Sequence, residues 1–105
     1  MYIQMEYLYR DAGNYKVWGS TVFANPQGLS LDTIQAQTKD HWIDGCYFIA
    51  ANLQLPSLHT SPYDAELDHS WHEFHAFTET VELPNDAHHR RIDDFVARLQ
   101  QQRYL

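Results

Sequence analysis

Ile3, Met5, Tyr7 and Tyr9 alternate along the start of the chain with Tyr2, Gln4, Glu6 and Leu8. A period of two built from aromatic and β-branched residues predicts a half-buried strand. The next residues, Arg10-Asp11-Ala12-Gly13-Asn14, carry turn chemistry, since Gly and Asn accept positive φ. A second strand over about 15–24 then pairs antiparallel with the first. Gly19 inside it signals a bulge or a close backbone approach. Asn25-Pro26-Gln27-Gly28 breaks this strand, and Ser30 is placed to cap a helix over about 31–41. Asp32 suits its first turn and Lys39 its last, and Leu31, Ile34, Thr38 and Trp42 recur at helical spacing. Asp44-Gly45 ends that unit. Cys46-Tyr47-Phe48-Ile49-Ala50 is an apolar run of strand length, expected to be buried on both sides.

Ala51 to Leu58 accommodates a short helical turn stopped by Pro56, and 59–70 has the composition of a loop. A dozen irregular residues in a small domain often carry function. Trp71 to about Leu83 predicts a long strand, with Phe74 and Ala76 on one face and Trp71, Phe77 and Val81 on the other. Pro84-Asn85-Asp86 introduces a helix to about Gln102. Ile92, Phe95, Val96 and Leu99 give it an apolar face at i, i+3, i+4 and i+7, and its arginines are expected to face water. The order is β-β-α-β-β-α. Its economical arrangement is a single α+β domain over 1–105, an antiparallel sheet of about four strands with two helices on one face.

Composition agrees with one packed core: 105 residues, 44% hydrophobic and 14% aromatic, which is too apolar for a disordered chain. Charge adds something the pattern does not contain. The formal net charge is −7, and residues 40–89 hold nine Asp or Glu, all seven His and no Lys or Arg. Affinity for phosphate backbones or anionic membranes needs clustered cations, so neither direct nucleic-acid binding nor membrane binding is expected. The single Cys46 leaves no disulfide framework. Neither a secretory signal nor an 18-residue apolar span is expected, which points to a cytoplasmic protein.

Asp68-His69-Ser70-Trp71-His72-Glu73-Phe74-His75 is the densest collection of reactive side chains. Imidazoles and carboxylates ligate transition metals, so His69, His72, Glu73 and His75 invite a metal reading. On a strand, however, His75 shares a face with Glu73 and not with His72. Glu73 with His75, or Asp68 with His72, could act as an acid–base pair, but no nucleophile elbow accompanies them. Cys46 begins an apolar strand, where a thiol is ordinarily inert. Dispersed glycines build no phosphate loop, and no cofactor is expected. The N-terminal aromatics lack the cationic groove of a base-stacking platform.

What remains is binding. Tyr63, Asp64, Glu66, Asp68, Trp71 and Glu73 set carboxylates around aromatic anchors, a combination suited to docking on a basic surface. The expectation is a non-catalytic acidic protein that docks on a larger basic protein. An inhibitor of a nucleic-acid-handling, defence or toxin complex is one form this takes. A His/carboxylate metal-binding hydrolase is the alternative, and an exposed strand edge makes a homodimer an available state. Tyr9-Arg10-Asp11-Ala12-Gly13-Asn14-Tyr15-Lys16, Asp44-Gly45-x-Tyr47-Phe48-Ile49-Ala50 and Asp68-His69-x-Trp71-His72-Glu73-Phe74 resemble segments of small bacterial and phage-type proteins. That resemblance covers most of the chain and implies a bacterial or phage setting, with no activity or residue roles attached.

Overall fold

The computed structural model describes residues 1–11, 13–58 and 71–101. Strands β1 (Tyr2–Arg10), β2 (Lys16–Phe23), β3 (Tyr47–Ile49) and β4 (Trp71–Thr80) form one antiparallel sheet in the order β2-β1-β4-β3. Helices α1 (Leu31–Thr38) and α2 (Ile92–Gln100) pack on one of its faces, as the α+β expectation requires. A 3-10 turn over Ala50–Leu53 follows β3. The odd-numbered side chains Ile3, Met5 and Tyr7 point into this core, where they meet Phe23, Ile34, Phe48, Phe77 and Phe95. Gln4, Glu6 and Leu8 therefore point to the opposite, helix-free face.

Local chemistry explains the joints. Asn14 takes positive φ, and Asp11 accepts the Tyr15 N–H through Oδ1, closing the β1–β2 hairpin. Ser30 Oγ accepts the Thr33 N–H at 3.1 Å and caps α1. That helix ends at Thr38, short of the expected 41, and buries Ile34 and Thr38. Gly19 is a site of close approach: an added Cβ would stand 2.7 Å from Leu58 Cδ2.

Several further expectations are corrected. First, the pairing of β1 with β4 shifts register between Glu6 and Tyr7, so that Tyr7 opposes Phe74 while Glu6 opposes Ala76. The extra residue, His75, reverses the alternation, and Phe74 and Phe77 both face the core instead of opposite sides. Trp71 is exposed, and Val81 lies beyond the strand and is exposed. Second, β3 is an edge strand, so Phe48 is buried while Tyr47 and Ile49 are only half-buried. Third, the last helix begins at Ile92. Asn85 is used elsewhere: its Oδ1 accepts the Val22 N–H at 2.8 Å, and its own N–H donates to the Val22 carbonyl at 3.0 Å. Ala24 and Arg91 then form a parallel bridge. This stretch covers the outer edge of β2 near its end, where unpaired backbone would otherwise invite another strand.

Arg90 does not face water. Its side chain, 10% exposed, lies against buried Asp86, with Nε 2.9 Å from Oδ2 and Nη2 2.9 Å from Oδ1, and its backbone N–H also donates to Oδ2. Nη1 donates to the Leu53 carbonyl at 2.6 Å and Nη2 to the Gln54 carbonyl at 3.1 Å. The guanidinium carbon lies 5.6 Å and 5.5 Å from the ring centroids of Phe23 and Phe95. Burial on its own raises the Asp86 pKa. The hydrogen bonds from the Arg90 side chain and backbone, together with the guanidinium charge, outweigh it and hold the carboxyl below its ordinary value.

Two predictions follow from this packing. Gly19→Val should destabilise the fold by about 2 kcal/mol through overpacking, and Leu58→Ala in the same chain should recover part of the loss. Urea titrations of both single variants and the pair test this; strict additivity would disprove the contact. For Asp86, a depressed folded-state pKa means that its contribution is complete above the unfolded value of about 3.9 and is lost as pH falls through the folded value. Asp86→Asn should therefore cost about 3 kcal/mol at neutral pH, the low end for breaking a buried pair because Arg90 keeps two carbonyl partners. The deficit should shrink in melts run towards pH 3, and a deficit independent of pH would contradict the linkage.

Candidate functional site

The reactive side chains of β4 are divided between the two faces of the sheet. His72 points inward and is buried, ringed by Tyr7, Tyr9 and Phe48 with centroids at 6.1, 5.2 and 5.8 Å. Its Nε2 accepts the backbone N–H of Leu58 at 3.0 Å. An imidazole accepting at Nε2 carries no proton there, so this ring ties down the chain after Pro56 and has no lone pair at Nε2 left for a metal. Tyr7 Oη reinforces the same tie by donating to the Pro56 carbonyl at 2.9 Å.

Glu73 points to the open face, and Arg10 holds it with Nε 2.9 Å from Oε1 and Nη2 3.3 Å from Oε2. It can touch a partner only in competition with that guanidinium. Trp71, at the start of β4, is 37% exposed and leans on Tyr47 of the edge strand at 5.5 Å. His75, displaced by the bulge, meets Trp18 edge-on at 5.0 Å and 83°. The structure thus separates His72 from Glu73 and His75. Among the described residues, no three His, Cys, Asp or Glu side chains gather as a metal site. His69 and the expected binding residues Tyr63, Asp64, Glu66 and Asp68 lie outside the described residues.

Burial, and then the Glu73 charge, push the Cys46 thiol pKa up; a Tyr47 hydrogen bond opposes them and the Asp44 charge adds to them. A thiol held protonated is a poor nucleophile.

The helix-free face is ordered by the strand registers, with Leu8 buried in its middle. Trp18, Leu8, Glu73 and Tyr47 stand in one row across all four strands. In the neighbouring row, Glu6 lies between Ser20 and Ala76. These small neighbours leave a cleft of about 320 Å³ lined by Glu6, Trp18, Gly19, Ser20 and His75. Trp18 is 54% exposed beside it. Glu6 accepts one hydrogen bond, from Gln4 Nε2 at 3.1 Å, and no described cation pairs with it. Composition and motif spacing single out neither Trp18 nor Glu6. The alternation of β1 and the position of the β1–β2 turn were the available signal, because together they put Glu6, Leu8, Trp18 and Ser20 on one face.

His72→Phe tests the inward histidine. The ring is replaced but the Leu58 N–H loses its acceptor, so stability should fall by about 1–3 kcal/mol in chemical denaturation. An unchanged midpoint would mean that the imidazole packs without anchoring the backbone.

Comparison with protein-family models, with curated proteins and with solved structures finds no match to the chain.

Proposed function

We propose that this chain is a small, non-catalytic binding protein that docks on a larger protein with a basic surface. The observation that carries the reading is the disposition of charge. Arg10, Arg90 and Arg91 each close on a carboxylate of the chain itself, Glu73, Asp86 and Asp93. Arg98 donates to the Asn52 carbonyl at 2.8 Å. The described arginines are thus engaged internally, and the chain as a whole carries a formal charge of −7. Such a surface steers encounter with a cationic partner and repels phosphate. Trp18 and Trp71, both exposed, supply the aromatic area on which binding energy concentrates. A bacterial or phage inhibitor of a nucleic-acid-handling complex fits this chemistry, since carboxylates compete with phosphates for the same Arg and Lys residues.

Affinity capture from a bacterial extract, with retained proteins identified by mass spectrometry, tests the proposal. The expected partner has a basic surface, and its retention should weaken steeply as salt is raised. Changing Asp64, Glu66 and Asp68 together to Lys should abolish capture while the circular dichroism spectrum is preserved. Capture that survives the triple change, or that is insensitive to salt, removes the basis for the proposal.

A further inference from the structure

We infer that the cleft lined by Glu6, Trp18, Ser20 and His75 receives an arginine side chain of the partner, with the Glu6 carboxylate as counter-ion and the Trp18 indole as stacking surface. This rests on the docking reading and adds the chemical group that is recognised. Glu6 is half-buried on the central strand β1, between Ser20 and Ala76, and among the described residues only Gln4 donates to it. An ionised carboxylate offers about four acceptor positions, so most of its capacity is unfilled among the described residues. A carboxylate taken partly out of water without a cation is an unfavourable arrangement that a cationic ligand relieves.

The same sheet face already contains an occupied version of this site. On β4, Glu73 takes a two-point contact from Arg10 at 2.9 and 3.3 Å. Glu6 is the neighbouring carboxylate with no guanidinium partner among the described residues, and it has an exposed indole where Glu73 has Leu8 as its β1 neighbour. Arginine fits better than lysine because its planar fork can bond a carboxylate at two points and lie on an aromatic face at once. Phosphate and carboxylate ligands are repelled by Glu6 and Glu73. The cleft, about 320 Å³, is at the small end of the range for ligand pockets, about 300–1,000 Å³, which suits one side chain. His75, edge-on to the indole, positions the ring.

The test is a titration of the intact chain with N-acetyl-arginine amide, followed by amide and indole N–H chemical shifts, alongside the lysine and citrulline equivalents. Saturable shifts are expected at the Trp18 indole and at residues 6, 19, 20 and 75. Arginine should bind more tightly than lysine, and about tenfold more tightly than citrulline, which has the same shape without the charge. Glu6→Gln should weaken arginine binding about tenfold with the other shifts and the melting temperature preserved, and Trp18→Leu should weaken it without changing the preference for charge. Citrulline binding as well as arginine, unchanged affinity in Glu6→Gln, or shifts centred on Trp71 would each overturn the assignment. The two readings fail separately. Arginine bound at Glu6 with no basic protein captured refutes the docking reading, whereas a captured protein indifferent to Glu6→Gln refutes this cleft.

Discussion

The fold depends on one largely enclosed guanidinium. Arg90 sits where four pieces of chain converge: the end of β2, the 3-10 turn after β3, the segment following β4 and the start of α2. Each leaves polar backbone or aromatic surface at the junction. The Leu53 and Gln54 carbonyls stand at the end of a turn whose last residue, Gln54, is held at positive φ, and Phe23 and Phe95 present their rings to the same place. Five fixed donors on a plane can satisfy two carbonyls and a carboxylate while lying against aromatic rings, which a lysine ammonium cannot do. Asp86 makes the arrangement tolerable by supplying the opposite charge. The cost is conformational: with Asn85 and Asp86 committed to β2 and to Arg90, residues 84–91 cannot be helical, and α2 is limited to the nine residues Ile92–Gln100.

That junction closes the core from one side only. Both helices and the 84–91 segment serve the face carrying Ile3, Met5 and Tyr7 or the β2 edge, so among the described residues Glu6, Leu8, Trp18, Glu73 and Tyr47 belong to the other face. A single strand, β4, separates the two environments. His72 faces inward and acts as backbone acceptor, Glu73 faces outward and pairs with Arg10, and the bulge at His75 brings an imidazole against Trp18. Three adjacent titratable residues that look like one cluster in the sequence are three unrelated structural devices.

What the sequence made legible was whatever local periodicity or local hydrogen bonding decides. The α2 face of Ile92, Phe95, Val96 and Leu99, the Ser30 cap and the alternation of β1 were readable because each depends on neighbours within a few positions. The β4 bulge was not, because one inserted residue changes the face of everything beyond it and the insertion is set by pairing with β1. Arg90 was unreadable for a related reason: its periodic position fits a solvent-facing helix, and the carbonyls that bury it come from 36 and 37 residues away. Of the expected site, only Trp71 and Glu73 fall within the described residues, and pairing with Arg10 gives Glu73 a role that the composition of its segment does not suggest.

The acidic segment illustrates how segregation along a chain becomes pairing in space. Residues 40–89 contain no cation, yet Glu73 and Asp86 each meet an arginine contributed from outside that segment, Arg10 from β1 and Arg90 from just beyond the boundary. Among the described residues the acids that remain do not form one patch: Asp44 lies in the turn before β3, whereas Glu79 is near the end of β4 and Glu82 just beyond it. Net charge therefore describes the long-range field that steers encounter, and local recognition must come from particular carboxylates. On the open face, the one that combines partial burial, an adjacent exposed indole and no described internal cation is Glu6. On the proposed docking reading, a surface whose described arginines are already engaged from within would distinguish a partner's arginine from its own, because a carboxylate with no described cation can accept one without breaking an existing pair.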